Sequence, residues 1–239
     1  MKFSKIENID PLKKESWENK IFLTFDIDWC HDEVLQKTLD ILSEYNIEST
    51  MFCTHETSLL NIMAQDKKIE LGIHPNFNPL LEGNYRYGKN VSEVTDFYLD
   101  IVPNAKSVRS HSLTQGGKFL SVFEDKGIKF ECNSLIDPLG GLIFPYNFSP
   151  KIIKVPHIFE DDVREWYEEG FNLKRYTEYK GIKVFAFHPV QVFLNTESMN
   201  RYNEAKPFFQ NPRKLHEFIN KKKYGTKDFL LDIIRKYKS

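Results

Sequence analysis

The segment Ile21–Asp28, IFLTFDID, limits the fold more than any other stretch: it is almost continuously apolar and ends in two acids. A run apolar on both faces suits a strand covered on both sides, as in a parallel sheet. Behind it, Val34, Leu35, Leu39, Ile41, Leu42 and Tyr45 recur at helical spacing, which predicts a helix capped by Asp32 and closed by Asn46. The alternation then repeats. Ile47–Thr54 reads as a strand, Glu56–Met63 as a helix, Ile69–Ile73 as a strand and Val91–Ile101 as a helix. Ser107–Ser110 is a short strand, Gly117–Lys126 a helix ended by Gly127, and Ile128–Glu131 a strand. Strands alternating with helices imply βαβ units and a parallel sheet.

Past Cys132 the pattern loosens. Three prolines and the Gly140–Gly141 pair predict a long loop region over residues 133–150. Ile152–Pro156 and Lys183–Pro189 are the last expected strands, and two helices are expected from Pro212 onward. With no internal repeat and no linker-like stretch, the expectation is one domain over residues 1–239, with a core at 21–189 and a helical tail at 212–239. The tail lysines suit a solvated face better than a membrane-surface helix.

Charge and composition narrow the function. Thirty-three basic against 34 acidic residues argue against a dedicated nucleic-acid binder, which needs a basic excess. Cys30, Cys53 and Cys132 are odd in number and lack a CxxC spacing, so they read as buried thiols in a reducing compartment. The first twenty residues hold no apolar run of signal-peptide type, and no stretch is long and apolar enough to span a bilayer. A cytoplasmic location is the expectation.

The expected strand ends carry the chemistry. The first ends in Asp26 and Asp28, the second in His55, the third in His74, the fourth in Arg109-Ser110-His111 and the last in His188. In parallel α/β folds catalytic residues collect at that end of the sheet. Asp26 and Asp28, two apart on a strand, point to one side. Adjacent buried carboxylates repel unless a cation or a proton lies between them, and a divalent metal is the simplest answer. The alternative is a pair of loop carboxylates satisfied by backbone N–H groups. Asp, His and Asn ligands without thiolate suit Zn, Co, Mn, Fe or Ni alike. Trp29, Phe77, Tyr85 and Tyr87, just past strand ends, are either sugar-stacking platforms or core.

The ordered set Thr24–Asp28 (TFDID), Ser49–Thr54 (STMFCT), Glu70–Pro79 (ELGIHPNFNP), Val108–Ser112 (VRSHS) and Val184–Pro189 (VFAFHP) resembles the polysaccharide deacetylase family. This is the NodB-homology group, carbohydrate esterase family four, and the likeness is closest to a branch found with surface-polysaccharide (lipopolysaccharide or capsule) gene clusters. The resemblance implies an α/β fold, a distorted (β/α) barrel of about seven parallel strands, and one divalent metal, most often zinc. By the same resemblance Asp26 is the catalytic base, Asp28 a metal ligand, Arg109 the group that orients the base, and His188 the general acid. The family's second motif has two histidines four apart before a proline; here the places are held by His74 and Asn78. An amide oxygen is the weaker ligand, so His111, where the family has proline, or else His55, is expected to complete the metal set. The fourth family motif has a faint echo in Asp162-Val-Arg-Glu165-Trp166.

The implied activity is removal of an N-acetyl group from a sugar or glycan intermediate. Two alternatives stand beside it: an inactive glycan-binding relative, and a metal hydrolase of another C–N amide.

Overall fold

The computed structural model describes residues 1–163 and 170–238 of the chain. Its sheet holds ten strands: β1 (Lys2–Phe3), β2 (Lys20–Asp26), β3 (Ser49–Cys53), β4 (Ile69–Ile73), β5 (Ser107–Val108), β6 (Phe130–Glu131), β7 (Tyr146–Asn147), β8 (Ile153–Lys154), β9 (Phe159–Glu160) and β10 (Lys183–Phe187). Their order is β7-β8-β6-β5-β4-β3-β2-β10-β9, with β1 added beside the start of β2. Every pairing is parallel except β7 with β8. Omitting β1 and β7, chain order and spatial order agree around a ring from β2 through β6, β8 and β9 to β10. Among the described residues the ladder fails only between β8 and β9, so the sheet is a curled, incompletely closed barrel of eight parallel strands.

The buried pattern explains why these segments are strands. Phe22, Leu23, Phe25, Met51, Phe52, Val184, Phe185 and Phe187 are all fully buried, and alternate residues face the barrel interior and the helical layer. The core runs from Ile6 to Tyr237, and Phe229 of the last helix packs on Phe159 and Phe171. All three cysteines are buried free thiols. No helix among the described residues is long and apolar enough to cross a membrane.

Local details depart from expectation in informative ways. The first helix spans Asp32–Glu44 and is capped by His31, whose Nδ1 accepts from Glu33 N at 3.1 Å, and not by Asp32. The Asp32 carboxylate instead accepts from the Thr57 and Ser58 hydroxyls. With those residues held in a loop, the second helix starts late, at Leu60–Gln65. Asn46 and Gly127 do end their helices, at φ 55° and 76°, in the left-handed region. The loop expected over 133–150 contains β7, the antiparallel edge strand. The tail helices lie at Pro212–Leu215 and Thr226–Lys238.

Candidate metal and acid–base site

The C-terminal ends of β2, β4, β5 and β10 bring Asp26, Asp28, His74, Arg109, His111 and His188 together. Asp26 is the last residue of β2, but Asp28 lies beyond the strand, so strand alternation does not align the pair. Asp28 and Trp29 sit at φ 37° and 52°. Two successive non-glycine residues in this region store backbone strain of the kind found at functional sites. The turn brings Asp28 to the same histidine as Asp26: His74 Nε2 is 3.3 Å from Asp28 Oδ1, and His74 Nδ1 is 3.7 Å from Asp26 Oδ1.

Asp26 is fixed from behind. Arg109, wholly buried, donates from Nη1 to Asp26 Oδ1 at 3.0 Å and to Thr24 Oγ1 at 2.9 Å, and from Nε to the Cys132 carbonyl at 3.2 Å. Its guanidinium lies 4.6 Å above the Phe52 ring. Phe52 is Gly72's partner across the β3–β4 ladder, and a Cβ on Gly72 would stand 2.7 Å from both the Phe52 ring and the Ser107 carbonyl. Glycine there lets the ring lie flat under Arg109.

His111 arrives on a tight turn after β5. Its N–H donates to the Pro75 carbonyl at 3.0 Å, and Ser112 and Leu113 follow at positive φ. His111 Nδ1 is 3.4 Å from Asp28 Oδ1. Asp28, His74 and His111 thus form a group whose ligand atoms lie within 4.8 Å of one another. Asp28 Oδ1 and His74 Nδ1 are buried with no hydrogen-bond partner. Four ligands held tetrahedrally at about 2.1 Å from zinc stand roughly 3.4 Å apart, which matches both spacings to Asp28 Oδ1. The residues present therefore fit a divalent cation.

The other expected residues divide. Asn78 begins the short helix Asn78–Leu81, and its amide nitrogen donates to Ser112 Oγ at 3.1 Å, beside the His111 turn. His55 lies outside the cluster; its Nδ1 is 2.9 Å from Thr54 Oγ1. Phe77 is buried core under Phe119 and Phe123, whereas Trp29 presents an edge contact to His111 at 5.3 Å and Tyr85 is exposed. Tyr87 packs on Phe97 and Tyr98.

The acidic run Glu160–Asp162, at the end of β9, contributes a residue outside the expected motifs. Asp161 accepts from the His188 backbone N–H at 2.9 Å through Oδ2, and its Oδ1 lies 2.6 Å from His188 Nδ1. This clamp leaves Nε2 facing Asp28 Oδ2 at 3.5 Å. Glu160 reaches the gap between Asp26 and His188 and meets His157 Nε2 at 3.1 Å. The echo through Asp162 survives only in part: Asp162 groups with Asp161 and His188, while Glu165 and Trp166 lie outside the described residues.

Electrostatics sort these groups into roles. Burial lowers the pKa of His188, but the charges of Asp162 and Asp161 and the Asp161 hydrogen bond outweigh it and hold the ring protonated well above its usual range. Burial pushes Asp161 and Asp162 up to about 6, against the pull of His188. Burial also raises Asp28, yet the surrounding imidazoles of His111, His74 and His188 prevail and keep it well below the usual carboxylate range. His157 is held neutral, by burial first and by Arg109 second.

Comparisons with known proteins bear on the family and the fold. The family model for WbmS-like polysaccharide deacetylases matches residues 23–206. A search of curated proteins finds no match. A crystal structure from Bordetella bronchiseptica, described as a polysaccharide deacetylase involved in O-antigen biosynthesis, superposes with a TM-score of 0.93 at 38% identity over 99% of this chain and 98% of that one. A second, a polysaccharide deacetylase from Mycobacterium smegmatis by its description, gives 0.45 at 13% identity over 91% and 90%. By the family match and the 38% identity across nearly its whole length, the chain belongs to the WbmS-like polysaccharide deacetylase family.

Proposed function

We propose that the protein is a metal-dependent carbohydrate N-deacetylase, acting on an N-acetylated sugar of a surface-glycan intermediate. The observation that carries the reading is the convergence of Asp28, whose Oδ1 is unpartnered, with His74 and His111, between a fixed carboxylate on one side and a clamped, protonated histidine on the other. The O-antigen assignment of the Bordetella relative supports the substrate class.

Asp28, His74 and His111 would hold a divalent cation, which would supply Lewis acidity to activate water and polarise the amide carbonyl, and their spacing is compatible with zinc. Asp26, oriented by Arg109, accepts the proton of the attacking water. His188 delivers a proton from Nε2 to the sugar nitrogen as the C–N bond breaks. Water is consumed, and acetate and a free amino sugar leave. Arg109 keeps Asp26 aimed, and Asp161, bonded at Nδ1, keeps Nε2 of His188 on the side that faces substrate.

Metal analysis of protein purified without chelator is the test, run with Asp28→Ala and His74→Ala alongside and with acetate release from N-acetyl sugars as readout. Near-stoichiometric cation in wild type, lost in both variants, supports the reading. Protein that stays empty after soaking in zinc, cobalt, manganese, iron and nickel overturns it and leaves a glycan-binding relative.

A further inference from the structure

The charge of this chain is unevenly placed. The whole carries −1, but residues 211–239 hold nine Lys or Arg against three Asp or Glu. Part of that excess converges on a groove of about 740 Å³ between helix Asp32–Glu44, helix Pro189–Leu194 and the loop leading into helix Thr226–Lys238. Lys37, Lys221, Lys222, Lys223 and Lys227 line it over a floor that includes Phe193. None of the residues of the strand-end site contributes to it.

Two properties set this groove apart from an ordinary lysine-rich surface. First, its loop is built into the fold. Asn220 is buried; its Oδ1 accepts from Lys222 N and Lys223 N at 3.0 and 2.9 Å, and its Nδ2 donates to the carbonyls of Asn195 and Lys223 at 2.9 and 2.7 Å. Asn195 reciprocates: its Oδ1 accepts from Lys227 N and Asp228 N at 3.0 and 3.2 Å. The lysines therefore project from a fixed backbone. Second, lysines outnumber acids in its lining, five against Asp40, Glu44 and Asp228. Asp40 pairs with Lys37, and Asp228 accepts from Asn195 and from Gly225 N. Lys221, Lys222, Lys223 and Lys227 make no ion pair among the described residues. Several lysines carried on one held loop create a positive potential that favours an anion of more than one charge. A second cavity, of about 460 Å³, shares the three consecutive lysines as its wall.

We propose that this groove is a binding site for a phosphate group, held by Lys221, Lys222, Lys223 and Lys227, with the apolar floor accommodating what the phosphate is attached to. The phosphate comes either from a soluble molecule or from a lipid headgroup, and the two sources separate by experiment. Binding of radiolabelled inorganic phosphate is measured by equilibrium dialysis. Co-sedimentation is measured with vesicles of phosphatidylglycerol in phosphatidylcholine and with phosphatidylcholine alone. Three proteins are compared: wild type, K221Q/K222Q/K223Q, and R235Q/K236Q/K238Q, which removes the same charge elsewhere on the tail. Melting temperature and metal content serve as fold controls, because all six substituted positions lie outside the strand-end site.

The groove predicts binding at least about tenfold weaker in K221Q/K222Q/K223Q and nearly unchanged in R235Q/K236Q/K238Q. Phosphate binding with that pattern identifies a soluble source; binding to the anionic vesicles alone identifies a headgroup. Equal weakening in both triple variants reduces the effect to overall charge and overturns the site, as does wild type that binds neither probe more tightly than K221Q/K222Q/K223Q. Because the readouts need no deacetylation, failure here leaves the proposed activity standing.

Discussion

The two halves of the strand-end site differ in what completes them. On the acid side, His188 is held twice by Asp161, through its backbone N–H and its Nδ1, and the ring is set before any ligand arrives. On the donor side, Asp28 Oδ1 and His74 Nδ1 are buried without hydrogen-bond partners, and three donor side chains converge on common ground. Leaving a buried polar atom unpaired costs about 1–3 kcal/mol, and Asp28 Oδ1 is such an atom, faced by His74 Nε2 and His111 Nδ1 at 3.3 and 3.4 Å. A cation held by Asp28 Oδ1 and His74 Nε2 would remove the deficit at Asp28 and leave His74 Nδ1 facing Asp26. On the proposed reading the acid arm is set by folding, and the donor arm is completed by its ligand.

The sharpest break of that contrast is on the donor arm. Asp28→Ala and His74→Ala are expected to lose stoichiometric cation and to fall to background turnover. Wild type should also gain stability with added cation, about 2.7 kcal/mol at a hundred times Kd, whereas the variants gain none. Thermal melts with and without the metal check this. A variant that still responds like wild type would mean that the cation sits elsewhere.

Next comes the acid arm, where activity and cation uptake should separate. His188→Ala is expected to lower kcat by about 10²–10⁴-fold while metal content stays at the wild-type level. Asp161→Asn should cost less, roughly 10–100-fold, and chiefly in kcat, since the carboxylate orients the ring without touching substrate. Metal loss in either variant would show that the two arms are coupled.

A smaller effect reads the charge around His188. Its raised pKa comes from Asp162 and Asp161 overcoming burial. The reaction needs the protonated ring, so turnover persists below that pKa and fails as pH rises through it. Asp162→Asn removes an attracting charge, lowers the pKa and should move the basic limb of the kcat/KM profile about one pH unit lower. A basic limb that does not move would assign it to a different group.

Much of this was legible in the sequence because strand ends are easy to find. Alternating apolar runs placed Asp26, His74, Arg109, His111 and His188 at one end of a parallel sheet, and the folded chain brings all five together. Three features were not legible. Asp161 sits between Glu160 and Asp162 in a run of identical charge, and only the path of the chain decides which carboxylate meets His188. The convergence of Asp28 depends on two successive residues in the left-handed region, and while aspartate tolerates it, a bulky Trp29 does not announce such a turn. The cap of the first helix passed to His31 because Thr57 and Ser58, distant in sequence, took the Asp32 carboxylate. Tertiary partners decided each case.

Asn78 gives the finest division of the donor arm. Family resemblance assigns its position to a second metal-binding histidine, yet its amide nitrogen is committed to Ser112 Oγ, one residue after His111. The two histidine-bearing segments are joined there: the His111 N–H donates to Pro75 O, and Asn78 grips the following hydroxyl. A side chain used this way acts on the metal through His111, by holding the turn that aims Nδ1 at the cation. Asn78→Ala should therefore weaken cation binding by about tenfold, the range of a supporting hydrogen bond, and His111→Ala by more. Asn78→Asp, which keeps an oxygen and adds a charge, separates the two roles. If Asn78 supplies a ligand oxygen, the carboxylate tightens binding; if it supports the turn through its N–H, the lost donor weakens binding much as alanine does. Competition titrations with a chelating dye on the three variants resolve the order, and tighter binding in Asn78→Asp would return the position to the metal.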